Sequence, residues 1–245
     1  MKKIFLSFSL ILVLAAMGFQ PVSAAYPVVI GVSKFGKEDR DVKDFNSLAA
    51  GGPITVFVTM GNTESLSFEG DADVIATLVT EVVGNSLIIR PKTSWTSWAR
   101  KYQDKKIIAR VTAKVLKSIT MSGDGSITVN GTLHGYSFST ILSGSGSINA
   151  AIDVDNFSGV ISGSGKLNIS GNADNASINI SGSGSLAKKG LSVGSLSTAI
   201  SGSGSINIHA DNSINAVISG SGSVNYSGNA SVEKRVLGSG RVRKI

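Results

Sequence analysis

The sequence predicts an all-β fold: a right-handed parallel β-helix of coils about 19 residues long, preceded by a less regular N-terminal β cap. Three observations carry that prediction. The first is a repeat. Ser-Gly-Ser-Gly begins at Ser143, Ser162, Ser181, Ser201 and Ser219, Ser-Gly-Asp-Gly begins at Ser122, and Leu237 opens a degenerate last copy. Successive starts lie 21, 19, 19, 20, 18 and 18 residues apart, the tolerance one coil of a solenoid allows. The second is a set of apolar columns. Met121, Leu142, Ile161, Ile180, Ile200, Ile218 and Val236 immediately precede the motifs, and Ile127, Ile148, Leu167, Leu186, Ile206, Val224 and Val242 follow five residues after each start. The third is the period. Ser, Asn and Thr fall between the aliphatics, with Thr128, Asn149, Asn168, Asn207 and Asn225 in the outward slot, which is a period of two and therefore strand.

Each coil reads as a strand, a polar turn, a second strand and a glycine corner. Asp155-Asn156, Asp174-Asn175 and Asp211-Asn212 supply turns by hydrogen-bonding their own backbone. A coil buries about four or five aliphatic side chains, each stabilising by roughly 1.5–3 kcal/mol. Ordering some twenty residues costs at least about 20 kcal/mol of backbone entropy, so one coil alone fails and a stack succeeds. Two other solenoids do not fit. A hexapeptide helix needs an aliphatic every six residues, and a calcium-binding roll needs a recurring carboxylate where this chain has Ser147, Lys166, Ser185, Ser205 and Ser223. The right hand follows from the crossover rule for parallel strands.

The chain is expected to divide as 1–24 signal peptide, 25–40 flexible N-terminal segment, 41–113 N-terminal β cap and 114–245 repeat β-helix. Lys2 and Lys3, the apolar run Ile4–Phe19 and the small residues around Ser23-Ala24 form the export signal. Within the cap, Ile54–Thr59, Leu66–Phe68, Leu87–Arg90 and Lys106–Ala113 read as strands. Val74–Val83 reads as a short helix or loop, and Gly84-Asn85 as a turn. There is no cysteine, so an exported chain of this kind relies on packing and hydrogen bonds. No later apolar segment reaches the roughly 20 residues of a transmembrane helix. In the last coil, Lys234, Arg235, Arg241, Arg243 and Lys244 crowd the terminal strands, which discourages further strand addition.

The formal charge is +7 and uneven: nine basic residues and one acid, Asp104, lie between Arg90 and Lys117, while the repeat body is close to neutral. Arg90, Lys92, Arg100, Lys101, Lys105 and Lys106 interleave with Trp95, Trp98 and Tyr102, a pattern suited to sugar stacking and to an anionic polysaccharide or envelope surface. These nine residues form the candidate partner-binding patch. An exported chain gives no reason to expect nucleic acid as the partner.

Beside these readings, the sequence resembles the auto-transporter adhesin head GIN domain family. The resemblance rests on Ile161–Gly165, Ile200–Gly204 and Ile218–Gly222, and on the order Phe45–Leu48, Ile54–Val56, Phe68–Asp71 and Asn85–Ile89 before them. It implies an exported β-helical protein with an adhesive or surface role, and it transfers no catalytic residues. Family members often carry Asp after the second glycine, where this chain has mostly Ser.

Nothing in the sequence assembles chemistry. His134 and His209 fall in different coils, the many serines lack a base and an orienting acid, and no group has metal-ligand spacing. No catalytic, cofactor or metal residue is expected. The expected function is an exported, non-catalytic adhesin-like or envelope-scaffolding protein, periplasmic, surface-bound or secreted. The alternative is a polysaccharide lyase or hydrolase built on the same helix, for which Asp155 and Asp174, twelve residues after their motif starts, are the stacked carboxylates.

Overall fold

The computed structural model describes residues 35–93, 97, 100, 105–186 and 190–245. The repeat region is a β-solenoid whose coils stack in parallel register. Its strands are β8 (Ser118–Gly123), β9 (Ser126–Gly144), β10 (Ser147–Gly163), β11 (Lys166–Gly182), β12 (Ser185–Leu186), β13 (Leu191–Gly202), β14 (Ser205–Gly220), β15 (Ser223–Ser227), β16 (Ser231–Gly238) and β17 (Arg241–Lys244). Ser126, Ser147, Lys166, Ser185, Ser205, Ser223 and Arg241 lie above one another, seven coils of the spacing read from the sequence.

Every aliphatic column points inward. Ile127, Ile148, Leu167, Leu186, Ile206 and Val224 are fully buried, as are Met121, Leu142, Ile161, Ile180, Ile200 and Ile218 to within 1%. Phe138 and Phe157 stack at 6.4 Å between ring centroids, and the Phe157 ring passes over Gly159, where a side chain would meet it at 3.3 Å.

The corners explain both glycines of each motif. The first one, from Gly123 to Gly238, has φ between 110° and 121°, and between Gly144 and Gly238 a Cβ there would sit 2.5–2.7 Å from the carbonyl oxygen of the glycine one coil back. The second glycine has no Cβ for a different reason: at Gly184, Gly204, Gly222 and Gly240 a Cβ would strike the inward isoleucine of the preceding coil at 2.4–2.6 Å.

The N-terminal strands are β1 (Phe35–Arg40), β2 (Ser47–Gly51), β3 (Thr55–Met60), β4 (Ser65–Asp71), β5 (Leu78–Val83), β6 (Ser86–Pro91) and β7 (Ile107–Ala113), with a one-turn helix α1 (Ala72–Ile75) between β4 and β5. Their stacking does not follow chain order. β2 and β3 form a rung between β6 and β7 on one side and β8 and the start of β9 on the other, all parallel. β4 and β5 then pair antiparallel with β7 and β6, and β1 pairs antiparallel with β4. The solenoid end is thus covered by antiparallel strands and by the buried Val74, Ile75 and Leu78. Gly84 and Asn85 do form the turn of the β5–β6 hairpin, and Val74–Val83 holds the end of α1 and then a strand.

One expectation needs correction. The segment 25–40 was expected to be flexible, yet its last six residues are β1. Arg40 explains the order. Its guanidinium donates to the carbonyls of Leu78 and Ile75 at 3.0 Å and to Thr80 Oγ1 at 2.7 Å, and it lies 4.8 Å from the centre of the Phe68 ring. A fork of donors that ties the end of α1 to the first residues of β5 is well matched to arginine and invisible to hydrophobic patterning. Residues 25–34, and the expected signal peptide, lie outside the described residues.

Candidate functional site

The parallel register lines up outward side chains as strictly as inward ones. On the sheet formed by β6, β2, β8 and the last third of each long strand, three outward columns run along the stack. The first reads Ser86, Ser47, Ser118, Ser139, Ser158, Ser177, Ser197, then Asn215 and Glu233. The second reads Ile88, Ala49, Thr120, Ile141, Val160, Asn179, Ala199, Val217, Arg235. The third carries the leading serine of each motif: Arg90, Gly51, Ser122, Ser143, Ser162, Ser181, Ser201, Ser219, Leu237. Two serine ladders therefore flank a ridge of small and branched side chains. From the β2 rung to the β14 rung none of these positions is charged; charges stand only at the two ends.

The ridge is open to solvent: Ile141 and Val217 are 40% and 41% exposed. A shallow groove of about 250 Å³ runs over Val160, Asn179, Ala199 and Val217. A second hollow, of about 340 Å³, lies further along the same face over the small Ala49 and Gly51, and Ile88, Arg90 and Thr93 edge it.

The opposite sheet is decorated differently. Asn149 donates to Thr128 Oγ1 at 3.3 Å, Asn168 to Asn149 Oδ1 at 2.8 Å, Asn225 to Asn207 Oδ1 at 3.0 Å, and Arg243 to Asn225 Oδ1 at 2.8 Å. These amides form a ladder that spends its donors within the protein. The outward slot foreseen for these asparagines is correct, but they serve the stack.

A third surface carries the stacked carboxylates. Asp153, Asp155, Asp174 and Asp211 line a shallow groove of about 480 Å³ with Asn172 and Asn212. His134 Nδ1 lies 3.3 Å from Asp153, and His209 lies 2.9 Å from Ser227 Oγ and 3.2 Å from Asp211. No lysine or arginine lines it, and among the described residues no three His, Asp or Glu side chains converge as metal ligands. The turns expected at Asp155-Asn156, Asp174-Asn175 and Asp211-Asn212 are instead strand, because the inter-coil ladder of β10, β11 and β14 runs through them, and the aspartates are exposed on an open groove that does not shield a reacting centre from water.

The basic patch lies between β6 and β7 in the sequence. Of its nine residues, Trp95, Trp98, Lys101 and Tyr102 lie outside the described residues. Arg90 reaches Glu81 at 3.0 Å, Lys92 donates to the Ala76 carbonyl at 3.0 Å, and Lys105 meets Asp71 at 2.6 Å, whose carboxylate also accepts from the Asp73 amide at the start of α1. Those three cations are engaged in holding the cap. Arg100 and Lys106 are exposed.

Ser118, Ser139, Ser158, Ser177 and Ser197, four residues ahead of five successive motifs, carry the same periodic signal in the sequence as the apolar columns. Ser47 and Ser86 do not, because only the out-of-order stacking brings them into the ladder.

Solved structures share this fold. A putative adhesin from Bacteroides fragilis is similar with a TM-score of 0.77 at 22% identity, over 86% of this chain and 97% of that one. A putative lipid binding protein from Parabacteroides distasonis gives 0.69 at 24%, over 86% and 96%. A putative adhesin from Parabacteroides merdae gives 0.68 at 23%, over 88% and 98%. No match is found among curated proteins. Residues 44–230 match the family described as "Putative auto-transporter adhesin, head GIN domain", and with the solenoid, its glycine corners and its outward ladders in place, the chain belongs to that family.

Proposed function

We propose that this protein is a non-catalytic, extracytoplasmic binding module that makes adhesin-like, multivalent contacts along a rigid solenoid. The family description and the export signal read from the sequence support a location beyond the cytoplasm. The observation that carries the reading is the repeated, uncharged serine face: many identical weak sites held at fixed spacing favour avid attachment over chemistry on one bond. The exposed Arg100 and Lys106 add a salt-sensitive contact to an anionic polysaccharide or envelope surface.

Cell fractionation with surface-protease treatment, combined with attachment of parent and deletion cells to polysaccharide-coated surfaces, tests the proposal. Protease-accessible protein and a loss of attachment on deletion are expected. Protein retained wholly inside the envelope, or attachment unchanged by deletion, overturns it. A lyase or hydrolase would instead release reducing ends from polysaccharide and lose that activity in the Asp155→Asn, Asp174→Asn variant.

A further inference from the structure

We infer that the face bounded by the two serine ladders is a binding track for a linear, uncharged polysaccharide lying along the stacking direction. The inference rests on the proposed binding role and names its ligand class. Three properties of the face argue for it.

Its hydroxyls are unspent. Among the described residues no hydrogen bond from the protein engages the hydroxyls of the ladder serines from Ser118 to Ser197, whereas the asparagine ladder on the other sheet is bonded internally. Each serine offers one donor and two acceptor lone pairs, the complement of a sugar hydroxyl. The ridge between the ladders, Ile141, Val160, Ala199 and Val217 among it, supplies apolar contact for the C–H faces of sugar rings.

The face carries no charge over the seven rungs from β2 to β14. A polyanion would leave its charges without partners there, so charge matching selects a neutral polymer. Attraction on this track is expected to be indifferent to salt, unlike any contact made by Arg100 and Lys106.

Size favours a single chain over a folded partner. With strands about 4.8 Å apart and about 3.3 Å of rise per residue, the track is about 29 Å long and 13 Å wide. That is roughly half of the ~800 Å² each partner commonly buries in a stable protein complex, while a single glycan chain fits within it. A second copy of this chain held by the face alone would therefore be held weakly.

The test places lysines on the ridge. Asn179 and Ala199 are exposed and outward, so Asn179→Lys, Ala199→Lys keeps the core intact. The control, Ser147→Lys, Ser205→Lys, puts the same charge in the outward column of the other sheet, where Lys166 already stands. Purified full-length protein is titrated with size-fractionated linear β-1,4-gluco-oligosaccharides and linear α-glucans, and with polygalacturonate as the anionic arm. Far-ultraviolet circular dichroism establishes that both variants are folded.

The parent is expected to bind at least one neutral series with affinity that climbs with chain length until the track is filled, equally at low and high salt. The ridge variant is expected to lose at least tenfold and the control less than twofold. Equal losses in both variants, undiminished binding by the ridge variant, retention of polygalacturonate alone, or no neutral series bound at any length each overturn the inference. Failure of the wider functional reading is distinguishable: intact cells attaching through protein that carries the ridge lysines would remove the track while leaving adhesion in place.

Discussion

Replacing Gly182 by alanine is expected to cost far more than the same replacement at Gly131, although both have positive φ, 116° and 96°. At Gly131 nothing lies within 4 Å of the new Cβ, so only backbone strain remains, about 1–2 kcal/mol. At Gly182 the Cβ would stand 2.6 Å from the Gly163 carbonyl oxygen, which also accepts the Ser183 amide at 2.9 Å. Relieving that overlap pushes the two coils apart at the corner. The strain is then joined by a weakened hydrogen bond, about 1 kcal/mol, and by misfit against a packed neighbour, about 1–3 kcal/mol. The expected total is about 3–6 kcal/mol, a large part of the roughly 5–15 kcal/mol that holds a domain together. Equilibrium unfolding in urea measures the difference between the variants. Hydrogen exchange at the Ser183 amide localises it, since protection there should fall before protection of β8. A Gly182 variant within about 0.5 kcal/mol of the Gly131 variant would refute the claim that backbone stacking, beyond φ alone, demands glycine at the corners.

Three further outcomes follow from single side chains. Thr140 is fully buried and its hydroxyl has no partner among the described residues, while Thr198 in the same inward column bonds the Ile178 carbonyl at 2.7 Å. Thr140→Val should therefore raise stability by about 1 kcal/mol and Thr198→Val lower it by about as much, read from urea midpoints. Arg40→Ala should cost about 2–3 kcal/mol and selectively deprotect the amides of β1 and β5, because it strands the Leu78 and Ile75 carbonyls and Thr80. The Asp44 amide, and beyond it Lys114, holds the Glu64 carboxyl below its ordinary value of 4.5, and the hydrogen-bonded Arg110 guanidinium does the same for Glu69. Both carboxylates thus contribute stability that is complete above the ordinary value and lost as pH falls through their lowered values, so unfolding midpoints measured downward from pH 5 should decline less in Glu64→Gln, Glu69→Gln.

The repeat region was open to reading because a solenoid writes its geometry into one dimension. Each coil contacts only its neighbours, so a column of like residues in the sequence is a column in space. The columns alone place Ile161, Ile180 and Ile200 in the core, and Gly163, Gly182 and Gly202 in one corner. The same rule places Ser139, Ser158 and Ser177 in one outward column, although periodicity alone does not say that their hydroxyls stay unbonded.

The cap obeyed no such rule. Ser47 and Ser118 are neighbours although 71 residues separate them, and Ser86 joins them from the other side. No periodicity records that β6 and β7 return beside β2 and β3, since those strands are buried on both edges and look alike from within. Arg40 likewise earns its place through carbonyls that meet only when α1 and β5 have folded over β4.

The sequence by itself determined the coil, its interior and its glycine corners, because those depend on local period and on steric exclusion at each residue. Tertiary structure decided which outward groups spend their hydrogen bonds within the protein and which remain available. That distinction depends on distances between coils: the amide of Asn168 can reach back to Asn149, and the shorter serine side chains of the opposite face are left facing water.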